Sequence, residues 1–234
     1  AVVATIHYAP VLYGRSTSAL HDTPLIEYGS TGAAGSGSSS SYTMVFSHED
    51  SGTAFVPFME SGAWGRTTDI ESFFTADVDA AGTPTGGHFL SGATPDDYPD
   101  TQNAIAEPTV PYTSGNWEEG SHGVLRVATG NNDFSQHATT PFRFRPVPVP
   151  APEPEEPREA VMDTHPWTYR IAGEEVARWY TNFTTDPTRP EQGDARQYAY
   201  VQLDSSGSGV DHVAIDVQLD GGPTWYANDF GSGY

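Results

Sequence analysis

The chain has no cysteine and no lysine. Without cysteine there is no disulfide framework, no thiolate metal site and no thiol nucleophile. Without lysine there is no phosphate-binding loop of the Gly-x-x-x-x-Gly-Lys kind, which needs an ammonium on the phosphates. The 10 basic residues are all arginine, and 31 acidic residues oppose them, for a formal net charge of −21. Such a field repels nucleic acid and anionic lipid, so no nucleic-acid partner is expected. It attracts divalent cations, and it suits an acidic protein adapted to high salt. No run of about 18 apolar residues occurs, so no transmembrane helix is expected. The opening AVVATIHYAP has no signal-peptide pattern and reads as the start of a mature, extracellular chain.

Hydrophobic residues make up 36% of the 234 residues and aromatic residues 12%, enough for a folded core. Aromatics spread along the chain among Gly, Ser, Thr and Pro favour strands and turns. The fold expected is mainly β: an antiparallel β-sandwich or distorted barrel with one short helix. Three regions separate. Residues 1–145 read as the β-rich core. Residues 146–157, PVPVPAPEPEEP, read as an extended linker or a strap across that core, because proline fixes φ and removes donors. Residues 158–234 read as a helix plus a hairpin that complete the same fold.

Within the core, SYTMVFSHED (41–50) alternates, placing Tyr42, Met44, Phe46, His48 and Asp50 on one face. TAFVPFME (53–60), Trp64 to Thr75 and GVLRVA (123–128) read as further strands, and HYAPVLYGR (7–15) as an N-terminal one. GAAGSGSSSS (32–41) has no core-forming residue and reads as a flexible loop. A turn at 158–163 leads to a helix over about 166–180, with Pro166 in its first turn. QYAYVQL (197–203) and DHVAIDVQL (211–219) read as a hairpin.

The stretch AWGRTTDIESFF carries the chemistry of most interest. On a strand, Asp69 and Glu71 share a face, with Cα atoms about 6.5–7 Å apart. Two carboxylates so close are tolerated when exposed, when sharing a proton or when bound to a cation. His48 and Asp50, at the turn after the preceding alternating strand, can join Asp69 and Glu71 in a mixed nitrogen and oxygen ligand set. Such a set favours Ca²⁺, Mg²⁺ or Mn²⁺ over Zn²⁺. As an acid–base pair, Asp69 and Glu71 would act with Arg66 or His48 assisting. Trp64 offers an aromatic face to a sugar ring. His122 and the loop residues Asn131, Asn132 and Asp133 form a second ligand-binding candidate, although turn chemistry alone also explains an Asn-Asn-Asp loop. The acidic loop TPDDYPD (94–100) and the sequon at Asn182 are weaker signals.

The order of TTDIESFF followed by SHGVLRVATG resembles the necrosis- and ethylene-inducing protein family. That resemblance implies a secreted β-sandwich with a divalent cation held near a glycan-binding surface by an Asp-x-Glu strand, here Asp69 and Glu71. The family's preceding histidines are replaced by Arg66, Thr67 and Thr68, and its cysteines are missing. The functional expectation is a secreted, glycan-directed protein with a cation-assisted acidic site, as a polysaccharide hydrolase. Its alternatives are a non-catalytic carbohydrate-binding or cytolysin-like module, and an acidic surface-layer or filament protein.

Overall fold

A computed structural model describes residues 2–15, 23–48, 68–91, 109–113, 115–130, 132–136, 142–152, 158–171, 174, 216–218 and 221–227. Helix α1 (Val2–His7) is followed by strands β1 (Val11–Tyr13), β2 (Pro24–Ala34), β3 (Gly37–Phe46), β4 (Asp69–Val78) and β5 (Pro84–Leu90). Strands β6 (Thr109–Tyr112), β7 (Trp117–Glu118), β8 (His122–Val127), β9 (Phe134–Ser135), β10 (Arg143–Phe144) and β11 (Val149–Pro150) come next. Helix α2 (Ala160–Asp163) and strands β12 (Asp216–Gln218) and β13 (Trp225–Ala227) complete the described elements.

Two sheets pack face to face. A six-stranded sheet runs β11-β2-β3-β4-β5-β6, and a five-stranded sheet runs β10-β1-β8-β7 with β9 also on β8. Neighbours are largely antiparallel; β1 with β8 and β11 with β2 are parallel. The architecture is therefore a sandwich, not a barrel. Between the sheets lie Tyr42, Met44 and Phe46 from β3, Phe73 and Phe74 from β4, and Leu12, Leu125 and Val127 from the facing sheet. The alternation read in 41–50 does put Tyr42, Met44 and Phe46 on one face, and that face is the inward one. Tyr112 links the layers: its hydroxyl accepts the Val124 N–H at 2.7 Å and donates to the Asn116 carbonyl.

The six-stranded sheet is covered on its other face too. Ile26, Tyr28, Val45 and Ile70 meet Val161 and Met162 of α2 and Tyr169 beyond it. Residues 167–171 are helical, so the helix predicted from 166 begins where Pro166 permits. The described part of the proline-rich segment, residues 146–152, lies along β2: Val149–Pro150 pairs with Tyr28–Gly29, and the Ala151 N–H reaches the Gly29 carbonyl at 3.0 Å.

Two expectations are corrected. The segment 32–41 is not a loop but the two strands of the β2–β3 hairpin, turning at Gly35 and Ser36. Gly35 takes φ 56°, the left-handed first position that a II′-type turn requires. Hydroxyl pairs replace apolar contacts here, with Thr31 and Ser40 at 2.8 Å across the hairpin and Thr43 and Ser72 at 3.1 Å between β3 and β4. The N-terminal segment is a helix before it is a strand, and the turn expected at 158–163 contains helix α2, so the helix from 166 is not the single one. Strand 216–218, which lies inside the predicted 211–219, pairs antiparallel with β13, Gln218 opposite Trp225. The predicted partner at 197–203, the strand at 53–60, the loop at 94–100 and Asn182 lie outside the described residues.

Candidate functional site

Asp69 and Glu71 do share a face of β4. Their partners on β3 are Phe46 and Met44, so that face looks into the sandwich rather than out to water. A register shift between Tyr42 and Thr43 marks a bulge at Phe73, which turns Phe73 and Phe74 inward together. Asp69 is buried, and its Oδ2 accepts a hydrogen bond from Asn132 Nδ2 at 2.7 Å. The same amide nitrogen donates to the His48 carbonyl at 3.2 Å. Asn132 sits at φ 57°, a conformation its short amide tolerates. Thr129 and Asp133 fix the turn around it: the Asp133 N–H donates to Thr129 Oγ1 at 3.0 Å, and the Ala128 N–H to the Asp133 carbonyl at 2.7 Å. The His48 ring lies 3.3 Å from Ser47 Oγ through Nδ1.

The structure thus joins His48 and Asp69, which the sequence grouped in one candidate set, with Asn132, which it placed in another. They form a buried polar knot that ties the 129–133 turn to the ends of β3 and β4. Glu71 is half-buried on the same face as Asp69. Among the described residues, no group of three or more His, Asp or Glu side chains is placed to hold a metal ion. Asp50, Trp64, Arg66 and Asn131 lie outside the described residues.

His122 belongs to a different place. It opens β8, whereas Asn132 and Asp133 follow the far end of that strand, roughly 16 Å along it. His122 Nδ1 lies 2.7 Å from the Ala9 carbonyl and Nε2 lies 2.8 Å from Arg145 Nη2. The tautomer with its proton on Nδ1 satisfies both contacts. Arg145 also makes a two-pronged pair with Glu119, at 2.8 Å on each prong. Beside it, Arg143 donates to Glu118, which also accepts from the Tyr13 hydroxyl at 3.1 Å. These arginine hydrogen bonds hold both Glu118 and Glu119 below the usual carboxylate range.

Two further features escaped the sequence reading. The first is Glu27 on β2, which is 2% exposed. Neither of its carboxylate oxygens has a hydrogen-bond partner, and burial pushes its pKa well above the ordinary glutamate value. It lines a cleft of about 320 Å³ together with Pro24, Leu25, Met44, Arg143, Phe144, Arg145 and Pro146. The signal in the sequence was an acid inside PLIEYG, an otherwise apolar alternation.

The second is the β12–β13 hairpin. Asp216 and Gln218 alternate onto one face of β12, and Trp225 lies opposite Gln218 on that same face. Trp225 is 61% exposed, and Asp216 and Gln218 are exposed beside it. Gln218 Nε2 donates to the Gly222 carbonyl at 2.6 Å, which holds the amide of an exposed side chain. The turn residues Gly-Gly-Pro at 221–223 were the available signal for a strand after them.

Family models, curated proteins and solved structures were compared with the chain, and none matches. The resemblance noted from the sequence rests on Asp69 and Glu71.

Proposed function

We propose that this chain is a non-catalytic carbohydrate-binding β-sandwich that works outside the cell and holds its glycan on the Trp225 face. The observation that carries the reading is an indole ring left 61% exposed beside an exposed carboxylate and an exposed amide. An exposed indole offers a flat apolar face with a polar N–H at its edge, which suits an amphipathic partner. Sugar rings present C–H faces that pack on an indole, and hydroxyls that need acceptors such as Asp216 and Gln218 Oε1. The net charge of −21 favours a neutral or cationic glycan over a polyanionic one.

Binding is favoured over hydrolysis by the state of Asp69. Its carboxylate is buried and engaged by Asn132, whereas glycoside hydrolysis needs two carboxyls facing the sugar. The test is retention of the purified chain on insoluble neutral polysaccharides, with release of reducing ends followed in the same tubes. Retention on at least one polysaccharide, lost in Trp225→Ala and unaccompanied by reducing ends, is expected. A chain retained by none, or a Trp225→Ala variant retained equally, contradicts the reading. Steady release of reducing ends would favour a hydrolase instead.

A further inference from the structure

We infer that the cleft between β2 and β10 is a second ligand site, which takes a primary ammonium carried on an apolar body and holds it on the Glu27 carboxylate. This inference is independent of the carbohydrate reading, because different strands carry it.

The argument starts from an unpaired acid. Glu27 lies across from Met44 on the inner face of the six-stranded sheet, and Met44 in turn lies across from Glu71. A buried carboxylate without a partner is among the costlier things a fold can contain. Even the protonated form leaves an O–H and a carbonyl oxygen unused. The cations that could relieve it are at hand, since Arg143 and Arg145 line the same cleft. Both are committed elsewhere: Arg143 to Glu118, and Arg145 to Glu119 and His122. Those pairs neutralise the rim and leave Glu27 as the uncompensated acid of the cleft.

The other described walls are Pro24, Leu25, Met44, Phe144 and Pro146, all apolar. The volume of about 320 Å³ is at the lower end of the range of small-molecule sites. An apolar body with one ammonium satisfies both parts: the body packs on the walls, and its N–H groups donate to the orphan carboxylate once the buried Glu27 side chain turns toward the cleft. An anion would instead have to displace Glu118 or Glu119 from the arginines.

The groups that bear on Glu27 are Tyr42 and Glu71 on its own sheet, and Arg143 and Arg145 across the cleft. Burial and the field of Glu27 together raise the Tyr42 hydroxyl above its ordinary value. Binding an ammonium must ionise Glu27, so it must release a proton. Affinity then rises as pH rises, by up to about tenfold per unit, until the free carboxyl is itself ionised.

The test is calorimetric titration of the full chain with phenethylammonium and hexylammonium, against 2-phenylethanol, hexanol and phenylacetate. Each titration is run at roughly pH 5 and pH 7 in buffers of differing ionisation enthalpy, so that proton release is read directly. The amines are expected to bind at least about tenfold more tightly than the matched alcohols, with proton release at the lower pH. Glu27→Gln should abolish that preference and the pH slope. Glu27→Met, a second variant of similar volume, should do the same, with circular dichroism confirming that each folds. The inference is overturned if the alcohols or phenylacetate bind as well as the amines, or if Glu27→Gln leaves amine affinity unchanged. It is also overturned if affinity falls with rising pH, which would mark Glu27 as a neutral donor to a neutral ligand, or if no amine binds.

Discussion

Glu27 and Asn132 are both buried polar side chains, and they act on stability in opposite ways. Glu27 has no partner, and its raised pKa means that the folded state binds a proton which the unfolded state has lost. Its contribution is intact below the ordinary glutamate value of about 4.3 and declines as pH rises from there toward the raised value. Glu118 and Glu119 run the other way: their lowered pKa values add stability above the ordinary range that is lost as pH falls. Urea denaturation at several pH values above about 5 should therefore show wild-type stability declining with pH. The Glu27→Gln profile should be flatter over that window, and equal slopes would contradict this account. Asn132, by contrast, supplies one amide to two acceptors. Asn132→Ala strips Asp69 of that bond inside the fold and places alanine at positive φ, and should cost about 2–4 kcal/mol in the same assay. Asn132→Gly relieves the backbone but not the lost bonds, and should lie between alanine and wild type.

At the scale of elements, close approach decides more than composition does. A Cβ on Gly123 of β8 would stand 2.5 Å from the Phe74 ring of the facing sheet. Gly123→Ala must push the layers apart or turn the ring, and should cost about 1–3 kcal/mol by thermal or urea denaturation. A neutral result would mean that the layers yield more readily than packing at this density allows. The same scale explains what could be read in the sequence. The alternation of Tyr42, Met44 and Phe46 specified a shared face, and the strand read at 123–128 followed from its own residues, while the proline segment read equally as a linker or a strap. The serine tract at 37–41 misled because its strand is held by hydroxyl pairs to β2 and β4, which leave no hydrophobic period. Asp69 and Glu71 were placed correctly relative to each other. The direction of their face depended on a partner sheet that local sequence does not reveal. Glu27 was missed for the same reason: an acid in an alternating strand reads as solvent-facing, but this sheet is covered on both sides. Trp225 was missed because the strand reading stopped at 219, before the glycine–proline turn.

For the whole molecule, charge is the dominant global property. With 31 acidic residues against 10 arginines, self-repulsion opposes the compact state. Raising salt from about 0.1 M to about 1 M shortens the screening length from roughly 10 Å to 3 Å, and should raise the melting temperature. A melting temperature that falls with salt would mean that the arginine pairs outweigh the repulsion. The same negative field sets the class of ligand, neutral or cationic, for both proposed sites.

The measurement that bears most directly on the central claim is a calorimetric titration of the chain and of Trp225→Ala with soluble oligosaccharides of whichever polysaccharide retains it. The account predicts saturable binding to the wild type, and a loss of about 2 kcal/mol, roughly 30-fold in Kd, when the indole is removed. Equal affinity in the two proteins would contradict it.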